Sequence, residues 1–417
     1  MDLQTIRYAG DRKDTEELYK VYNVEQIIQS HEGILKEHMS FRDQLLASSV
    51  RLTPAISPRV HKIVEVAKER LGIVADIEFF SLNDKSYNAF AFNVNDQLSI
   101  VFTSSLLEAF SDEEILFVLG HELGHIIFEH NRLLLLYNPN EEKKTFLPIL
   151  AEKKFLSWQK KAEISSDRIG LVACGNYQVA VQALLKVSYG LTEKNLNFNM
   201  DELMKQLDEL TKSAYISQLG EASHPILPVR LKSLELFVSS EIVTEGSELT
   251  VRKLENAVAK LIKLTSLYPR KDTKLQQMKF VTAAAISLIA SEKDIELEEI
   301  KSLVQILADY FTDEPEKEII YDKEKIAKQL ETASAFLKEK GSDEDKFYAL
   351  HFVTIVALAD GQFTQDEKEL LVKLAASLGY SADDAMGIIW KTLQHTGIKI
   401  DVKLNQIAKN VKKHYMK

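Results

Sequence analysis

Residues Leu119-Gly120-His121-Glu122-Leu123-Gly124-His125-Ile126-Ile127 set two histidines and a glutamate, in the spacing HExxH, inside an apolar run. The surrounding pattern reads as helix, and Ser111-Asp112-Glu113-Glu114 supplies a capping box to open it. Residues four apart share a helical face, so His121 and His125 can offer imidazoles to one ion. Neutral imidazole is a good zinc ligand. Glu122 lies beside that face, where a carboxylate can take a proton from a metal-activated water. The alternative is a chance match on a buried helix. It would leave two imidazoles and a carboxylate among Leu119, Leu123, Ile126 and Ile127 without a partner, which is costly.

A catalytic zinc needs a third protein ligand and an open position for water. No histidine stands six residues after His125. His130 is five residues on, about 140° round a helix of ~3.6 residues per turn, and is a poor ligand on that geometry. Downstream, Lys161-Ala162-Glu163-Ile164-Ser165-Ser166-Asp167-Arg168 reads as helix, with Glu163 and Asp167 on one face. Either Glu163 is a ligand and Asp167 buttresses a histidine N–H, or the two form a solvated acidic pair. Spacing alone leaves both open.

Outward from this core the chain reads mostly as helix. Before about Ser49, apolar residues such as Ile27, Ile28, Ile34 and Leu35 recur at helical steps. Thr53-Pro54 and Ser57-Pro58 interrupt the pattern, because proline pushes the preceding residue out of helical geometry. Val60 to Leu71 is helical again. Extended segments are expected at Ile77–Phe80, Ala89–Phe92 and Gln97–Phe102, with turn residues Asn83-Asp84 and Asn93 to Asp96 between them. After Thr103 the pattern stays helical, and Gly175 is a plausible stop.

Pro269-Arg270-Lys271-Asp272 is the best domain boundary. Beyond it, Ser291 to Val304 lies over Ala359 to Val372 as a weak repeat, matching Glu298 with Asp366, Glu299 with Glu367 and Leu303 with Leu371. The expected organisation is a helical N-terminal segment (1–58), a metallopeptidase domain (59–268) and an all-helical domain with internal pseudo-symmetry (269–417).

The chain has 417 residues, 45% hydrophobic and 27% charged, which suits two or three globular domains. Its 52 Lys plus Arg against 62 Asp plus Glu give a net charge of −10, which argues against nucleic-acid binding. Cys174 is the single cysteine, so no intramolecular disulfide can form. No signal-peptide pattern opens the chain, and no apolar run approaches the ~20 residues of a membrane span. A cytoplasmic location is expected.

On these residues the chain resembles the zinc metallopeptidases that include the HtpX heat-shock protease and the Ste-type CAAX prenyl proteases (peptidase family forty-eight). The resemblance covers roughly Val60 to Leu236. Asn88-Ala89-Phe90-Ala91 matches the family's NAxA edge strand, which holds substrate backbone. Leu106 to Ile127 matches the segment through HExxH, and Glu163 to Asp167 matches ExxxD, which supplies the third ligand at Glu163. Ser223-His224-Pro225 with Arg230 matches an HP…R element near the active site. The resemblance implies a mainly α (α+β) zincin-type gluzincin domain with a small sheet.

It further implies a zinc endopeptidase acting on protein or peptide substrates, in quality control or stress response. His121, His125 and Glu163 would hold one Zn2+, Glu122 would be the general base, and His224 and Arg230 would assist the transition state. Asp167 would orient a ligand. HtpX and the prenyl proteases are membrane proteins, whereas this sequence shows no spanning run, so a soluble member is the closer picture.

Roughly Lys279 to Leu393 resembles the all-helical TerB-like tellurite-resistance domain, mainly through Ala359-Asp360-Gly361-Gln362-Phe363 and Glu367. That resemblance makes Asp360 and Glu367 candidate metal residues, against a plain turn with a helix cap at Thr364. It suggests a sensing or docking role toward a protein partner. The rival functions are a proteolytically silent zinc-bound binding module and a stress-response adaptor acting through this domain.

Overall fold

The computed structural model describes residues 3–21, 24–30, 41–94, 97–134, 136, 149–192, 194–195, 198–211, 224–266, 272–290, 297–311, 315–361 and 363–396. It divides into two compact units, Met1–Leu267 and Tyr268–Lys417. Pro269 to Lys271, Ser291 to Glu296, Gln362 and Ser223 lie outside the described residues. As expected, the chain is mostly helical, with one small four-stranded sheet, and the second unit is all helix.

The longer helices of the first unit are α1 (Ala9–Val21), α2 (Pro58–Leu71), α3 (Asp112–Ile127), α4 (Ile149–Cys174), α5 (Tyr177–Tyr189), α6 (Met200–Thr211), α7 (Leu227–Val238) and α8 (Val251–Ser266). Helix α3 begins where the sequence says it should. The Ser111 side chain accepts from Glu114 N–H, and the Glu114 carboxylate accepts from Ser111 N–H. Helix α4 ends at Gly175, whose φ of 70° lies in the left-handed region that glycine adopts without penalty.

The close packing of α3 on α4 positions the site. Gly120 and Gly124 on α3 face Ser166, Gly170 and Ala173 on α4, and a Cβ added at Gly120 would stand 2.4 Å from the Ala173 Cβ. Only small residues allow two helix backbones this near each other. Around them, Phe117, Leu119, Leu123, Ile164 and Ile169 are buried in one core with the inner face of the sheet.

Strands β1 (Val50–Arg51), β2 (Ile77–Leu82), β3 (Ala89–Val94) and β4 (Gln97–Thr103) run in the order β1-β2-β4-β3. The last three sit where the sequence places them, each a residue or two longer. Strand β1 was not expected, since two residues show no alternation. Strand β2 is parallel to β4, and β3 is antiparallel to β4. Strand β3 is therefore an edge. Thr103 N–H donates to the Asn88 carbonyl, so in an alternating ladder the main-chain groups of Ala89 and Ala91 point to the free side.

The second unit contains α9 (Asp272–Ile289), α10 (Leu297–Tyr310), α11 (Lys323–Lys340), α12 (Asp343–Ala357), α13 (Gln365–Ser377) and α14 (Ala382–Thr396). Capping boxes open α12 at Ser342 and Asp345, and α13 at Thr364 and Glu367. Among the described residues, no helix is long and apolar enough to cross a membrane.

Candidate metal centre

His121 and His125 project from one face of α3, and Glu163 meets them from α4. The two Nε2 atoms are 3.2 Å apart, Glu163 Oε2 is 3.6 Å from His121 Nε2, and Glu163 Oε1 is 3.4 Å from His125 Nε2. A tetrahedral zinc with ligands at ~2.0–2.1 Å separates its ligand atoms by about 3.3 Å. The three donors therefore fit a zinc ion in both chemistry and spacing. Among the described residues this is the one such group of His, Cys, Asp or Glu side chains. Neither acid is solvated, since Glu163 is 7% and Asp167 1% exposed.

Each imidazole is gripped at its other nitrogen. His121 Nδ1 lies 2.9 Å from Asp167 Oδ1. Asp167 in turn accepts from Arg230 Nε at 2.8 Å and Nη2 at 2.6 Å. His125 Nδ1 lies 3.1 Å from His130 Nδ1, and His130 Nε2 lies 3.0 Å from Asp11 Oδ2 on α1. His130 thus meets His125 on the side away from Glu163.

The electrostatics follow from burial and these partners. Burial works against the Glu163 charge, yet the neighbouring His125, His121, Arg230 and His224 hold it well below the usual carboxylate range. Asp167 is likewise lowered, with Arg230 overcoming burial. Burial would depress His121, but Asp167 and Glu163 raise it overall. Burial pushes Glu122 up, only partly offset by His121 and His125. For Asp11, burial opposes the charge, and His130 and Arg7 bring it down regardless. Burial pulls His130 down to about 4, so it is a neutral ring near pH 7.

A cleft of about 370 Å³ opens over the centre. Asn88, Ala89, Phe90 and Ala91 line it together with His121, Glu122, His125, Glu163, His224 and Arg230. Ala91 also hydrogen-bonds Glu122 through its main chain. Asp167 stands behind His121 rather than in the cleft. His224 Nε2 is 3.5 Å from Glu163 Oε1, with its side chain 62% exposed. Arg230 Nη2 is 3.5 Å from Glu163 Oε2, but Nε and Nη2 both engage Asp167.

Sequence reasoning missed Asp11 and the role of His130. Asp11 sits in a charged helix where nothing marks one acid from another, and helical spacing tests His130 only as a ligand. In the second unit, the Glu367 carboxylate accepts from Thr364 N–H at 2.5 Å, the arrangement of a helix cap. Among the described residues, no group of three metal-type donors forms around Asp360 and Glu367.

Residues 54–151 match Peptidase family M48, and residues 279–388 match Tellurite resistance protein TerB. The first match contains β3 and HExxH, while Glu163, Asp167, His224 and Arg230 lie beyond it. The chain is similar to the Plastoglobule-localized metallopeptidase 48, chloroplastic, of Arabidopsis thaliana. The two are 23% identical over 251 residues, covering 56% of this chain and 72% of the relative. No solved structure matches the chain. The chain thus carries an M48 peptidase domain and a C-terminal TerB domain, and the match supports a zinc-type metallopeptidase.

Proposed function

We propose that this chain is a zinc-dependent endopeptidase that hydrolyses peptide bonds of protein substrates bound in extended form. The observation that carries the reading is the convergence of His121 Nε2, His125 Nε2 and Glu163 within 3.2–3.6 Å, beside the carboxylate of Glu122 in one cleft. When bound, zinc supplies Lewis acidity, polarising the scissile carbonyl and lowering the pKa of a water toward ~7. Glu122 takes the proton of the attacking water and passes it to the leaving amine. Asp167 accepts from His121 Nδ1–H and so keeps Nε2 turned to the ligand cluster.

Arg230 acts through Asp167, a positioning role narrower than the transition-state role expected from the sequence. His224, exposed at the cleft, supplies the donor for the developing oxyanion. The edge of β3, through Ala89 and the carbonyl of Ala91, takes an extended peptide as a further strand, so binding tolerates many sequences. The four sequence blocks support kinship in function with HtpX and Ste-type enzymes, and hence a part in quality control. The TerB domain serves as a docking module for a protein partner. The buried thiol of Cys174 agrees with a reducing, cytoplasmic setting.

Glu122→Gln tests the reading. It should keep about one zinc per chain while peptide cleavage falls by about 10²–10⁴-fold, the range for a lost general base. Substrates held by this variant, identified by mass spectrometry, would give the cleavage preference. Undiminished cleavage removes Glu122 from its role. A folded wild-type protein that takes up no zinc overturns the proposal as a whole.

A further inference from the structure

We infer that Asp11 and His130 form a positioning relay for the metal centre, through which the N-terminal helix α1 sets the orientation of His125. The inference rests on the metal-site reading above and extends it to residues outside the ligand set.

Counting protons fixes the direction of the relay. His125 Nε2 faces His121 Nε2 and Glu163, so as a ligand it presents a lone pair and its proton sits on Nδ1. That N–H points at His130 Nδ1, 3.1 Å away, which must then be the accepting nitrogen. The His130 proton is therefore on Nε2, 3.0 Å from Asp11 Oδ2, where a carboxylate accepts it. Reversing either ring would set two N–H groups, or two lone pairs, against each other. One buried carboxylate thus selects the tautomer of both imidazoles.

The surroundings are built to hold this arrangement. Asp11 is fully buried and also accepts from Arg7 Nε and Nη2 at 2.8 and 3.0 Å, Trp158 Nε1 at 3.0 Å and Ser165 Oγ at 2.7 Å. The His130 ring, 1% exposed, sits edge-on to Trp158 at 5.5 Å and tilted against Phe128 at 5.6 Å. Glu129, just before it, has φ 57°, the one positive φ at a non-glycine among the described residues. Continued helix would carry His130 about 140° away from His125. The left-handed residue breaks the helix and returns His130 to His125, a strained backbone held where a specific contact needs it.

His121 has a different arrangement, with Asp167 directly on its Nδ1. One ligand is held by an adjacent carboxylate and the other by a carboxylate one imidazole removed.

The test uses the full-length protein with zinc and cobalt(II) as probes. His130→Phe keeps the ring shape and removes both hydrogen bonds. His130→Gln keeps an acceptor toward His125 and a donor toward Asp11. Zinc affinity, by competition with a chelator, should fall about 10–100-fold in His130→Phe and in Asp11→Ala, and recover to within a few-fold of wild type in His130→Gln. The absorption bands of the cobalt form should shift in the first two and return in the third.

Asp14→Asn is the control for mere structural damage. Asp14 is buried on the same helix, but faces Lys154 and Lys161, and its loss should leave affinity and bands unchanged. Folded His130→Phe with wild-type affinity and spectrum overturns the relay. So does Asp14→Asn weakening zinc as much as Asp11→Ala. Histidine nitrogen NMR on the unaltered zinc protein decides the matter even if a variant fails to fold. An Nε2–H tautomer at His130 is expected, and an Nδ1–H tautomer refutes the relay. Zinc binding by wild type with no response to these variants defeats the relay alone, whereas no binding by wild type defeats the metal reading first.

Discussion

The first unit buries Asp11, Asp14, Glu122, His130, Glu163, Asp167, Arg168 and Arg230, and most of them bridge segments far apart in sequence. The second unit, among the described residues, buries no Asp, Lys or Arg and only the two carboxylates Glu299 and Glu367. Its buried Thr282, Ser334 and Thr354 bond carbonyls of their own helices, and Glu367 caps its own. His351 Nδ1 to Thr392 Oγ1, at 2.6 Å, is a link between helices there. Burying charge is expensive unless every group is paired, so a unit that does it repeatedly around one cleft is organised for chemistry. A unit held mainly by apolar packing and local caps, with few buried charges, is organised as a scaffold.

Four substitutions probe this contrast. Glu163→Ala should have the largest effect, lowering zinc affinity by more than the roughly 10–100-fold typical of a partner behind the ligands. Affinity close to wild type would send the third ligand elsewhere. Asp167→Asn should fall within about 10–100-fold, because it loosens His121 and leaves Arg230 without its anion. If chelator competition detects no change, helix packing alone holds His121 and the buried charges lose their purpose.

Gly120→Val tests the helix contact. Its Cβ would meet the Ala173 Cβ at 2.4 Å and the Gly170 Cα at 2.9 Å. A loss of about 1–3 kcal/mol in denaturant unfolding is expected, with weaker zinc binding, because the two ligand-bearing helices are forced apart. Unaltered stability would show that the helices can slide without cost. The smallest effect belongs to the second unit. Thr364→Ala should cost about 1 kcal/mol by loss of the cap, with zinc content and cleavage unchanged. Zinc lost from that variant would erase the distinction between the units.

Much of the site is legible in the sequence. HExxH on a capped helix and the Glu163–Asp167 pair on another follow from periodicities of a few residues. The capping box at Ser111 was equally readable, because its partners stand three positions apart, and at Thr364 the sequence offered a helix cap that the structure completes as a box. The edge strand at Ala89 was visible in its short aromatic alternation, although β1 was too brief to leave a pattern.

The sequence by itself determined the local elements and the kinds of donor each one carries. Only the tertiary structure decided that the acidic pair is buried rather than solvated, and that Gly120, Gly124 and Gly170 are where two helices touch. It alone brought Asp11 against His130 across 119 positions, after the left-handed turn at Glu129 redirected the chain. Side-chain identity and short spacing fix what happens within a helical turn. Contacts between distant segments depend on the path of the whole chain, and a histidine or an aspartate looks the same in sequence whether it faces water or a buried ring.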